Sequence, residues 1–146
     1  MRNDSLRRSI VAYASAGTYD PEELIRNGHV LTVNSDNNKN KRSIVRGETK
    51  IVPDIVIWKP ESELRSSDRG KAILAELIET PDSFPQIEKW KILSELHLIF
   101  NLLVPTQCVA EAKVRIGSGS INNDNVHLQS YHYSTQDHMY IFNTNP

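Results

Sequence analysis

Asp54, Glu76, Glu79 and Lys89 have the types and spacing to do chemistry. Asp54 opens VPDIVIWKP (residues 52–60), where Ile55, Val56, Ile57 and Trp58 favour a strand. Glu76 and Glu79 lie in AILAELIET (residues 72–80), a second apolar run. An ionised carboxylate withdrawn from water costs several kcal/mol unless a partner compensates it. Carboxylates that converge from neighbouring segments repel one another unless a cation sits between them, so cation binding is the chemistry they would support. On a helix, Lys89 lies about 40° from Leu93, inside the stripe of Trp90, Leu93 and Leu96. A lysine on a core-facing stripe calls for an anionic partner.

The elements that must position these residues follow from the pattern around them. The spacing predicts helices over 4–15, with Asp4 or Ser5 as cap and Gly17 as stop, and from Asp20-Pro21-Glu22-Glu23 to Gly28. Strands are expected over 29–35 and 42–52, the second with a bulge or turn at Gly47, with a polar segment at 35–41 between them. PDIVIW (53–58) and AILAELIET (72–80) form adjacent strands joined by a polar loop over 59–71. A helix is expected over 83–96, a strand over 97–105 closed by Pro105, and a Thr-capped helix over 106–116 ended by Gly117 and Gly119. VHLQSYHY (126–133) and HMYIFN (138–143) read as a hairpin around STQD. The β-α-β order in the middle requires a crossover, hence a mixed sheet flanked by helices in one α/β domain spanning 1–146.

Within a regular strand, Glu76 and Glu79 point to opposite faces, and a bulge near Leu77-Ile78 would bring them to one side. Each candidate also has a plain structural role open to it. Asp54 can bond nearby amides at a strand start, and Glu76 can face solvent. Glu79 can help cap the helix at 83, and Lys89 can snorkel.

At 146 residues with 24% charged and 38% apolar side chains, the chain is globular in composition, and its net charge of −1 selects neither nucleic acid nor membrane. No apolar run reaches the roughly 18 residues of a membrane span. A lone Cys108 excludes an internal disulfide framework. A cytoplasmic protein is the simplest expectation. His127, His132 and His138 invite a zinc reading, but no paired cysteine supports it.

The ordered set PDIVIW, ELIETPDS, IEKWK, HLIFNLLVP and VAEAKVRI, covering about residues 52–116, resembles the PD-(D/E)XK nuclease superfamily, in particular its small prokaryotic branch. The resemblance implies a restriction-endonuclease-like fold and metal-dependent hydrolysis of phosphodiester bonds in nucleic acid, here DNA. It implies Mg²⁺ or Mn²⁺ on Asp54 and on Glu79 or Glu76, since carboxylate oxygens suit these hard ions. The family's lysine stands two residues after the second acid. Here that position is Ile78 counted from Glu76, or Pro81 counted from Glu79. Lys89, on the next helix, is the substitute. The basic set Lys39, Lys41, Arg42, Arg46 and Lys50 would contact phosphates, giving affinity without sequence specificity. The missing lysine supports an alternative: the same fold without catalysis, serving as a nucleic-acid-binding or protein-interaction module. An apolar surface on the terminal strands would point instead to a structural partner, and a homodimer is left open.

Overall fold

The computed structural model describes Ile10, Glu23 and residues 26–34, 43–46, 48–58, 72–118, 121 and 123–146. The expected helix over 4–15 otherwise lies outside these residues, as do Gly17, the start signal at 20–22, the polar segment 35–41, Gly47, the loop 59–71 and Gly119. Gly28 closes the preceding turn with a φ of 80°, a left-handed conformation that costs glycine nothing.

Six strands form the main sheet: β1 (Val30–Val33), β4 (Ile55–Trp58), β5 (Ala72–Ile78), β6 (Ile99–Pro105), β7 (Val126–Ser134) and β8 (Met139–Asn143), side by side in that order. β2 (Ile44–Arg46) and β3 (Thr49–Ile51) make a separate two-stranded hairpin, so the expected strand over 42–52 folds back on itself. β4 is antiparallel to both β1 and β5. β5, β6 and β7 run parallel. Parallel neighbours need crossovers, and α1 (Ile87–Glu95) and α2 (Val109–Ser118) supply them. The chain is thus mixed α/β, as its β-α-β order requires.

The two sheet faces are distinguished by what packs on them. Ala75, Leu77, Phe100, Leu102 and Val104 face α1 and α2, meeting Trp90, Leu93, Ala112 and Ile116. Ile55, Ile78, Leu103 and Tyr131 line the other face with Ile10. β6 is covered on both sides and reads as a near-continuous apolar run, broken only by the buried Asn101.

The helix boundaries depart from the sequence reading in three ways. The first crossover helix starts at Ile87 rather than 83, because Pro85 holds Phe84 out of helical backbone. Thr106 does not cap: residues 106–108 form one 3-10 turn, and the Thr106 hydroxyl donates to the Tyr131 carbonyl at 2.9 Å. α2 runs through Gly117 to Ser118, at an exposed position where glycine weakens a helix without ending it.

Candidate functional site

The site begins where β4 starts and β5 ends. The register Ile55↔Glu76 places Asp54 beside Leu77, on the helix-bearing face. The Asp54 amide donates to the Glu76 carbonyl at 3.0 Å, continuing the ladder. Its carboxylate Oδ2 accepts the Ile78 amide at 2.7 Å. Ile78 is the last residue of β5, so the side chain stands in for a ladder carbonyl at the point where the strand ends. Asn34 braces the same corner, its amide donating to the Asp54 carbonyl at 2.9 Å and its side chain to Pro53 at 2.7 Å. Asp54 is 5% exposed.

Glu79 lies one residue beyond β5 and is fully buried. Alternation puts it on the face of Leu77 and Asp54. Its amide donates to the Leu103 carbonyl at 2.8 Å, holding it against β6. Its Oε2 accepts the Gln86 amide at 2.7 Å, and its Oε1 accepts from the Gln86 side chain and from the Ser83 hydroxyl. Gln86 is the N-cap residue of α1 and makes no cap bond with its own side chain. Glu79 does that work from the strand, placing a carboxylate at the positive end of the helix. The capping role expected at residue 83 is therefore real, displaced to the true helix start. A carboxylate offers about four lone-pair sites, and three donors leave Glu79 room for one further partner.

Glu76 goes elsewhere. It is 1% exposed, shares the opposite face with Ile55 and Asn101 by register, and so does not join Asp54 and Glu79. The bulge that would have aligned the two glutamates is absent from β5; the one register shift between β4 and β5 falls at Ile57/Trp58. Ile78, at the lysine position counted from Glu76, is buried in the core, while Pro81 is exposed. Lys89 is half-buried one turn after Gln86, whose carbonyl accepts its amide at 3.0 Å. It flanks the buried stripe of Trp90, Leu93 and Ser94 rather than lying within it.

Of the basic set, Lys50 is exposed on β3 opposite the exposed Val45, and Arg46 ends β2. Lys39, Lys41 and Arg42 lie outside the described residues. Ile44 and Ile51 anchor this hairpin to the core. His127, His132 and His138 are all exposed, and among the described residues no three His, Cys, Asp or Glu side chains gather as a metal-binding group.

Several residues that hold the site were not visible as candidates. Ser83 and Gln86 contact Glu79, and the Tyr131 hydroxyl donates to the Glu79 carbonyl at 2.7 Å. Asn125 closes the far end of α1 by donating to the carbonyls of Ser94 and Leu96 at 2.8 and 3.1 Å. The gap of four between Glu79 and Ser83, with Gln86 beyond, is the one local signal that a strand-end acid could reach the next helix. No family model matches the chain, and neither does any characterised protein or solved structure with which it was compared.

Proposed function

We propose that the protein is a metal-dependent nuclease-like hydrolase of restriction-endonuclease-like fold, acting on phosphodiester bonds in DNA. One observation carries this reading. Asp54 and Glu79 are buried carboxylates on one sheet face, at adjoining ends of neighbouring strands, with the Asp54 carboxylate 2.7 Å from the amide that precedes Glu79.

The donor set fits Mg²⁺ or Mn²⁺ in kind. Asp54 and Glu79 present hard carboxylate oxygens, and Mg²⁺ is commonly held by one or two carboxylates with water and substrate phosphate completing the shell. Such an ion would activate water and offset charge on the scissile phosphate. The chain's own residues keep that corner rigid: Asn34 fixes the backbone at Asp54, while Gln86 and Ser83 fix the Glu79 carboxylate. Lys89 supplies a positive charge one turn along α1, where it would stabilise developing charge or orient the attacking water. Lys50 and its basic neighbours in sequence would meet the phosphate backbone.

A second reading has its own support. Three donors of the chain already occupy Glu79, and neither lysine position holds a lysine, which is the pattern of a fold kept for binding after catalysis is lost. Incubation with plasmid and with single-stranded DNA, in Mn²⁺ and in chelator, separates the two. The hydrolase reading requires metal-dependent cleavage that Asp54→Ala abolishes. DNA binding with no cleavage, or cleavage indifferent to Asp54→Ala, gives the second reading precedence.

A further inference from the structure

The side chain of Gln86 brings a neutral oxygen to the Glu79 carboxylate. Gln86 is half-buried at the start of α1, and its side chain takes no part in capping its own helix. Its side-chain nitrogen Nε2 donates to Glu79 Oε1, while its backbone amide donates to Glu79 Oε2 at 2.7 Å. The two oxygens of Glu79 therefore have different duties. Oε2 serves the helix backbone, and Oε1 meets only side chains, the amide of Gln86 and the hydroxyl of Ser83. Those side chains can turn, whereas the backbone amide is fixed by the helix. Among the described residues the Gln86 side-chain oxygen accepts no hydrogen bond. Asp54 and Glu79 supply two acidic side chains, and among the described residues no third His, Cys, Asp or Glu completes a metal-binding group with them. An amide oxygen is a hard donor of the kind that suits Mg²⁺ and Mn²⁺.

We infer that Gln86 is a further ligand of the divalent ion at Glu79, its side-chain amide turning over so that oxygen replaces nitrogen beside Glu79 Oε1. The nitrogen and oxygen of an amide occupy equivalent positions, so a half-turn about the last side-chain bond exchanges them. A cation on Glu79 Oε1 repels the N–H end of the amide and attracts its oxygen, which sets the direction of the turn. Glu79 keeps Oε2 on the Gln86 backbone amide throughout, so the start of α1 survives ion binding. This role rests on the reading of Asp54 and Glu79 as a cation site and adds a third donor to it.

Titration with Mn²⁺ alone, in the absence of DNA and followed by the electron paramagnetic resonance of the free ion, tests it. Gln86→Ala keeps the backbone amide on Glu79 Oε2 and should fold. It should bind Mn²⁺ about tenfold more weakly or worse, since even groups outside a metal's direct ligands cost that much when lost. Were Gln86 only a lock on Glu79, the alanine variant would bind Mn²⁺ as tightly as the parent or more tightly, and the proposal is overturned. Gln86→Glu gives a second measurement. It sets one carboxylate against another, so its urea midpoint in chelator should fall below the parent's. Saturating Mn²⁺ should then raise that midpoint by more than it raises the parent's, because an ion that binds only the folded state stabilises it. Equal Mn²⁺ shifts in the two proteins overturn the proposal as well. Mn²⁺ binding that depends on Gln86, without cleavage of DNA, removes the hydrolase and leaves the ligand. Cleavage with binding indifferent to Gln86→Ala does the reverse, and a parent protein that binds no Mn²⁺ removes both.

Discussion

The phenol hydroxyl of Tyr131 donates to the main-chain carbonyl of Glu79 at 2.7 Å, across a sequence separation of 52 residues. That bond crosses over β6 and ties β7 to the end of β5. It fixes the backbone whose carboxylate caps α1. Tyr131→Phe removes the hydroxyl and little else, leaving a buried carbonyl short of one donor. The expected loss is about 1 kcal/mol, read as a lower urea midpoint with an unchanged m value.

Glu79 joins strand to helix through its charge and its geometry together. Glu79→Ala strips the cap from α1 and leaves the Gln86 amide without its partner, at an expected cost of about 1–3 kcal/mol. Glu79→Gln retains an oxygen for the Gln86 amide and should recover more than half of that loss in thermal or urea unfolding. If the carboxylate also binds an ion, the glutamine variant loses Mn²⁺-dependent cleavage while staying folded. Equal stability of the alanine variant and the parent protein would remove Glu79 from the capping role.

Asp54 is expected to separate structure from chemistry in the same way. Asp54→Asn keeps an oxygen facing the Ile78 amide and should unfold close to the parent protein. Asp54→Ala abandons that amide and the corner next to Asn34, with an expected penalty of about 1–3 kcal/mol. Both variants should abolish cleavage under the hydrolase reading. Glu76→Gln, on the opposite sheet face, should leave cleavage rates within a few-fold of the parent. A Glu76→Gln protein that is folded yet as inactive as Asp54→Ala would move the site to the other face.

The Cys108 thiol is held above the ordinary thiol value, first by burial and then by the charges of Glu111 and Glu79. The unfolded thiol therefore ionises first as pH rises. The stabilising contribution is intact below the unfolded thiol value, about 8.5, and is lost as pH climbs through the higher folded value. Reaction with a disulfide reagent should show a midpoint above that of a free cysteine. Glu79→Gln should lower that midpoint, because the nearby negative charge is gone. An unmoved midpoint would mean that burial and Glu111 alone hold the thiol up.

Much of the architecture is legible in residue order because it rests on local rules. The β-branched run at 55–57, the apolar run at 72–78 and the Pro105 stop locate strands, and Gly28 marks a chain reversal through its freedom at positive φ. The order β-α-β-α-β demands crossovers and hence the parallel centre of the sheet. Strand alternation puts Glu76 and Glu79 on opposite faces once no bulge falls between them, and the one register shift of the β4–β5 pair lies at Ile57/Trp58, away from both acids. What residue order left open was which face each acid would meet, and what would be waiting there. Asp54 and Glu79 share a face because β4 and β5 pair as Ile55↔Glu76, a register set by contacts between segments more than a dozen residues apart. The bonds to Glu79 from Gln86 and Tyr131 depend on where α1 and β7 dock, and that docking is driven by burial of Trp90, Leu93 and Phe100 rather than by any signal near Glu79 itself. Lys89 lies beside the buried stripe because the positions buried in α1 are Trp90, Leu93 and Ser94, with Leu96 only half-buried, and that choice is made by where α1 docks on the sheet.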